Sequence, residues 1–144
     1  MPEKTGMKLI VSGSRTLGEC PAGAGAEWIK RAEEERAEVH KVLAWITKVL
    51  PVRAVLHGAC PTGVDSIAHQ WAVGKFKIIL FPADWNRDGK KAGPLRNKHM
   101  AVQGDFLVAI WDGKSAGTKS MIAEARKAGV HSYIHYMTGP GKEG

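Results

Sequence analysis

Lys8-Leu9-Ile10-Val11-Ser12-Gly13-Ser14-Arg15 is an apolar run that breaks at once into small residues and an arginine. The same change recurs down the chain. Apolar runs at 54–56, 77–81, 106–111 and 130–137 are rich in Ile, Val and Leu, and nearly all end in a glycine-rich turn. They lack clean period-two alternation, as expected of parallel strands covered on both faces. Between the first two runs, Trp28, Ile29, Ala32, Val39, Leu43, Ile46 and Leu50 recur at helical spacing and predict a long amphipathic helix over 26–50. Residues 31–38 alternate both signs of charge, which fits a solvated outer face. Further helices are expected over 63–73, 94–103 and 118–128, with Pro94 suited to a first turn and Gly129 to the far end of the last helix. Strand and helix in alternation predict right-handed crossovers and an α/β fold: a doubly wound, mainly parallel sheet of about five strands flanked by helices.

The chain has 144 residues, 44% hydrophobic and 24% charged, which fits a single domain with an ordered core over about 8–137 and frayed tails at 1–6 and 138–144. Cys20 and Cys60 are too few for a zinc clip or a disulfide framework and read as reduced thiols. The greasy runs, 78–81 among them, are far short of the roughly 20 residues of a membrane span, and 1–11 holds no secretory apolar region. A cytoplasmic location without a membrane partner is expected. Lysine and arginine outnumber acids 21 to 14, for a net charge of +7. That favours an anionic partner, with nucleotide, nucleic acid and acidic protein surfaces all open. His131 and His135 fall in an expected strand, roughly 14 Å apart along it, so no metal site is expected there, and no cofactor is implied.

In such a sheet ligands bind beyond the carboxyl ends of the strands, where strand order reverses. With the order 3-2-1-4-5, the loops after the first and fourth strands face one crevice. The first, Ser12-Gly13-Ser14-Arg15, fits either an anion contact or a tight turn with a surface arginine. The second runs from His57-Gly58 through Thr62-Gly63 to Asp65 and His69. It has GxxxxG spacing without the Lys-Ser/Thr of a P-loop, which argues against a conventional nucleotide triphosphatase. Asp65 suits a helix cap or a ligand contact, and His69 a packed residue or a base. The third connection, 82–97, is read as a long irregular loop. It mixes Asp84, Trp85, Arg96 and Asn97, with Trp85 either anchoring the loop or stacking on a base. The fourth, Asp112-Gly113-Lys114-Ser115-Ala116-Gly117-Thr118, makes a second amide nest before a helix. Two nests in one crevice point to a phosphate-bearing ligand.

Taken together, Gly13-Ser14-Arg15, the HGxxPTGxD pattern from His57 to Asp65, FPADW at 81–85, AGPxRN at 92–97 and Gly117-Thr118 resemble the YspA-like branch of the SLOG superfamily, over roughly residues 8–137. The resemblance implies a Rossmann-like fold that binds a nucleotide or a nucleotide-derived, ADP-ribose-like molecule, as a sensor or a sequestering protein. The expected ligand residues are Ser12, Gly13, Ser14 and Arg15 for phosphate, Gly58, Thr62, Gly63 and Asp65 at the second helix, Arg96 and Asn97 opposite, and Gly117 and Thr118 in the second nest. Trp85 or Trp111 would stack on the base.

Two relatives supply alternatives. The LOG phosphoribohydrolases carry a glutamate where this chain has Met121, and a thioether cannot handle a proton, so their mechanism does not transfer. Asp65, Glu124 and Asp84 are the substitute catalytic candidates for a nucleotide hydrolase. The DNA-processing protein DprA shares the pattern at Gly63-Val64-Asp65-Ser66-Ile67-Ala68-His69 and Arg96-Asn97, which keeps single-stranded nucleic acid as a third reading. The long helix and the habit of the superfamily imply a homodimer.

Overall fold

A computed structural model describes residues 5–137, so the expected tail residues 1–4 and 138–144 lie outside it. The elements run β1 (Met7–Gly13), α1 (Ala26–Val49), β2 (Val52–His57), α2 (Gly63–Ala72), β3 (Lys77–Leu80), α3 (Trp85–Asp88), α4 (Ala92–Gln103), β4 (Phe106–Trp111), α5 (Ala116–Lys127) and β5 (His131–Tyr136). All strand pairs are parallel, in the order β3-β2-β1-β4-β5, a Rossmann-like α/β arrangement. Helices cover both faces. Leu9 and Val11 point to one side, with Val55, Val108 and Ile110, and pack against Val39, Leu43 and Ile46 of α1 and Val64 and Ile67 of α2. Ile10 points to the other, with Leu56 and Leu107, against Met100 of α4 and Met121 of α5. Leu9, Ile10 and Val11 are each 0% exposed, which is why this strand has no polar face. Truncating Ile10 to alanine would cost about 2–5 kcal/mol.

One expectation is corrected. The connection 82–97 is not an irregular loop: it holds the single turn α3, a 3-10 turn at Gly89–Lys91, and the start of α4, two residues before Pro94. Asp84 nucleates the first turn by accepting a hydrogen bond from the Arg87 amide at 3.1 Å, and Pro94 is tolerated because first-turn amides have no intrahelical partner. Among the described residues, no helix is long and apolar enough to cross a membrane.

The chain leaves β1 toward β2 and β3 on one side and returns through β4 and β5 on the other. The crevice of such a sheet lies beyond the ends of the two strands at the reversal, β1 and β4.

Candidate functional site

At that reversal the two expected nests are riveted together. The Ser14 amide donates to the Ile110 carbonyl at 3.1 Å, continuing the β1–β4 ladder past Gly13. The Ser14 hydroxyl accepts from the Asp112 amide at 3.0 Å and shares a hydrogen bond with the Ser115 hydroxyl at 3.1 Å. Asp112 Oδ1 accepts the amides of Lys114 and Ser115, each at 2.8 Å, an Asx turn that aims the chain into α5. Trp111 Nε1 donates to the Ser115 carbonyl at 3.1 Å. Ser115 is the N-cap of α5 but makes no side-chain cap bond. The first amides of α5, at Ala116, Gly117 and Thr118, therefore start the helix without a capping side chain.

The start of α2 is built differently. Gly63 has φ +73°, and a Cβ there would overlap the Ser14 carbonyl and the Arg15 backbone, so only glycine lets α2 abut the β1–α1 loop. Its amide donates to Glu19 Oε2 at 3.1 Å, and the Val64 amide donates to the Ser14 carbonyl at 3.2 Å. Asp65 Oδ2 accepts the amides of Gly58 and Cys60, each at 3.2 Å. Between them the Ala59 amide, in the left-handed region at φ 62°, donates to His57 Nδ1 at 3.0 Å. With Nδ1 accepting, the neutral His57 ring carries its proton on Nε2, which donates to His69 Nδ1 at 3.0 Å. His69 thus packs against His57, and the amides of Gly58, Ala59, Cys60, Gly63 and Val64 are all taken by protein acceptors.

These environments shift the ionisable groups. Burial lowers the His57 pKa to about 4, reinforced by His69 and then Arg96. Burial also raises the Asp65 carboxyl to about 6, against the Cys60 amide, the Arg96 charge, the Gly58 amide and the Arg15 charge.

Helix α4 closes the opposite wall. Arg96 Nη1 donates to the Gly58 carbonyl at 2.6 Å and to the Phe81 carbonyl at 3.3 Å, and its Nε donates to Asn97 Oδ1 at 2.8 Å. A side chain at Gly58 would collide with that guanidinium. Asn97 Nδ2 donates to the Gly117 carbonyl and to the Ser120 hydroxyl, both at 3.2 Å, tying α4 to α5. Burial lowers the pKa of Arg96, Asp65 opposes this, and Arg15 lowers it further. Arg15 and Arg96 are therefore like charges in mutual reach, sharing Asp65. Among the described residues Arg15 forms no hydrogen bond or ion pair.

The space these walls enclose is a cavity of about 310 Å3. Of the residues expected from sequence, Ser12, Gly13 and Arg15 line it from the first loop, Gly58 and Asp65 from the second, Arg96 and Asn97 from α4, and Gly117 and Thr118 from α5. Ser14, Thr62 and Gly63 do not: Ser14 and Gly63 join elements behind the wall, and Thr62 is an exposed N-cap without a side-chain bond. Trp85 is half exposed in a separate surface cleft with Pro82 and Arg87, and Trp111 turns its ring toward Tyr136. Asp84 is engaged with α3, and Glu124 pairs with Lys127 at 3.7 Å away from the cavity. Met121, where LOG enzymes hold their glutamate, is 0% exposed in the core.

Sequence reasoning missed Thr16, Cys60 and Met100 on the cavity wall, and of the fourth-loop nest it named Gly117 and Thr118 as ligand residues but not Asp112, Ser115 and Ala116. Met100 had a signal, since it lies four residues after Arg96 on one helical face. His135 is bonded to Glu38 at 2.7 Å, and among the described residues no group of three or more His, Cys, Asp or Glu could hold a metal ion.

Comparison with known proteins adds two findings. The family model of the YspA, cpYpsA-related SLOG family matches residues 7–87, from β1 through most of α3. The Gene 61 protein of Mycobacterium phage D29 is 43% identical over 83 residues, 53% of this chain and 66% of that relative. The chain thus spans just under two thirds of that relative's length. The family match takes in the first two loops and stops before Arg96 and α5.

Proposed function

Since the chain belongs to the YspA, cpYpsA-related SLOG family, whose membership points to nucleotide-related binding, we propose that the cavity between the β1 and β4 loops holds a nucleotide or a nucleotide-derived, ADP-ribose-like ligand by its phosphate, in a sensing or sequestering role. The observation that carries this reading is Arg15, an arginine that makes no hydrogen bond or ion pair among the described residues, set within reach of Arg96. Asp65, the carboxylate that interacts with both, is itself pushed toward neutrality. An anion bound there relieves the repulsion of the two guanidiniums and meets the uncapped start of α5.

The test is mass spectrometry of ligand released from freshly purified, denatured protein, with a thermal-shift panel of nucleotides, ADP-ribose and short oligonucleotides. A small nucleotide that co-purifies or stabilises supports the reading. Stabilisation by oligonucleotides alone, falling steeply with salt, moves single-stranded nucleic acid ahead of it. Hydrolysis is the second reading, favoured by the Asp65 carboxyl on the cavity wall with its pKa raised to about 6, in the range of a general acid. Consumption of the ligand by the wild type but not by Asp65→Asn would establish it.

A further inference from the structure

Within that reading, we infer that the cavity recognises a phosphorylated pentose and leaves the base unread. Among the described residues, no aromatic side chain lines it. The two tryptophans whose loops approach it are occupied elsewhere. Trp111 donates its ring N–H to the Ser115 carbonyl and packs against Tyr136, with ring centroids 5.7 Å apart, and Trp85 sits in the separate cleft with Pro82 and Arg87. The larger apolar side chain on the wall is Met100, which is 2% exposed and offers a base almost no surface. A stacking platform is the usual sequence-tolerant handle on a base, and this cavity has none.

The side-chain amide that would read a base edge is also taken. An amide side chain pairs with a base through one donor and one acceptor. Asn97, the amide on this wall, donates to Gly117 and Ser120 and accepts from Arg96. Asp112 Oδ1 already holds two backbone amides.

What stays open suits the other two parts of a nucleotide. Arg15, the Nη2 of Arg96, which has no hydrogen-bond partner among the described residues, and the start of α5 answer a phosphate. The hydroxyls of Ser12 and Thr16 and the carboxyl of Asp65 answer sugar hydroxyls, which both donate and accept. A volume of about 310 Å3 lies at the small end of ligand sites, which run from roughly 300 to 1,000 Å3. The base then extends through the mouth into solvent.

The experiment is a calorimetric comparison of ribose 5-phosphate, AMP, GMP, CMP, ADP-ribose, adenosine and inorganic phosphate on the full chain. The expected result is that ribose 5-phosphate and the three mononucleotides bind within about fivefold of one another, because roughly 1 kcal/mol is all an unread base can add. Adenosine, which lacks the phosphate, and inorganic phosphate, which lacks the sugar, should each bind at least about tenfold more weakly. Ser12→Ala with Thr16→Val should weaken ribose 5-phosphate and AMP by the same factor and leave inorganic phosphate unchanged. If AMP exceeds ribose 5-phosphate by more than about fivefold, a base contact exists and the inference is overturned, while nucleotide binding stands. If neither ADP-ribose nor any of the phosphorylated probes binds, the nucleotide reading itself fails, and this inference with it.

Discussion

Helices α2 and α5 begin after the same kind of sequence, a buried parallel strand followed by glycine, small residues and a hydroxyl, yet they do opposite things with their amides. At α2 the amides of Gly63 and Val64 go to Glu19 and Ser14, and the three loop amides before it go to Asp65 and His57. At α5 the N-cap hydroxyl turns to Ser14 and Thr118 instead, and Ala116, Gly117 and Thr118 face the cavity. A glycine-rich turn before a helix therefore has two physical uses. Closed on itself it is a frame, and left open it is a receptor for an anion. Substitutions at the two starts should separate stability from binding.

The largest effect is expected at the frame. Gly63→Ala places a Cβ against the Ser14 carbonyl in a left-handed backbone, and should lower unfolding free energy by about 3 kcal/mol or more in denaturant titration. A loss under about 1 kcal/mol would mean that the two loops are not held this closely.

Asp65 tests the same frame through pH. Its carboxyl is raised to about 6 in the fold from an ordinary 3.8, so the folded protein holds this proton more tightly than the unfolded chain. The wild type is then best placed, relative to Asp65→Asn, below about pH 4, where both states are protonated. Its relative stability falls as pH rises from about 4 to about 6 and levels off above, by an amount of the order of 2–3 kcal/mol. A flat difference between the two proteins over that window would show that Asp65 is not desolvated as described.

Arg15 and Arg96 sharpen the contrast from the binding side. Arg15→Ala removes a side chain with no hydrogen bond or ion pair among the described residues, so unfolding free energy should stay within about 0.5 kcal/mol. Affinity for ribose 5-phosphate or AMP should fall by roughly 10- to 150-fold, corresponding to about 1.5–3 kcal/mol for a charged hydrogen bond. Arg96→Ala should lose both, because its guanidinium also holds the Gly58 and Phe81 carbonyls. Arg15→Ala binding as tightly as wild type would remove the observation on which the proposed function rests.

The sequence made the strands and the strand order's consequence readable, because 0%-exposed strands such as 9–11 must be written in apolar residues on both faces. Helix α1 was readable from Val39, Leu43 and Ile46, which are buried at helical spacing. The loops carried less. Small residues announce where a ligand can approach, but whether an amide is already taken depends on partners far along the chain: Glu19 lies 44 residues from Gly63, and Ser115 lies 101 from Ser14. That is why Ser14 and Gly63 read as ligand residues and are found behind the wall, while Asp112 and Ser115, quoted in the same fourth loop, line it. Trp85 misled for a related reason. Its loop begins at the end of β3, an edge strand three places from β4, and α3 holds the ring on the surface rather than over the crevice.

Gly117→Ala is the smallest change with the clearest bearing on the two helix starts. Unlike Gly63, Gly117 has no positive φ, and a Cβ there meets nothing within 4 Å. Alanine is the better helix former, so stability should be unchanged or rise by a few tenths of a kcal/mol. Gly117 lies on the cavity wall, so the added methyl group is expected to take up space there. Affinity for ribose 5-phosphate should therefore fall severalfold while the melting temperature holds. The pair of alanine variants then reads opposite ways: at Gly63 the fold is weakened, and at Gly117 the fold is kept and ligand binding is weakened. If Gly117→Ala left ribose 5-phosphate affinity untouched, the start of α5 would be as closed in function as that of α2, and the phosphate would have to be sought nearer Arg96.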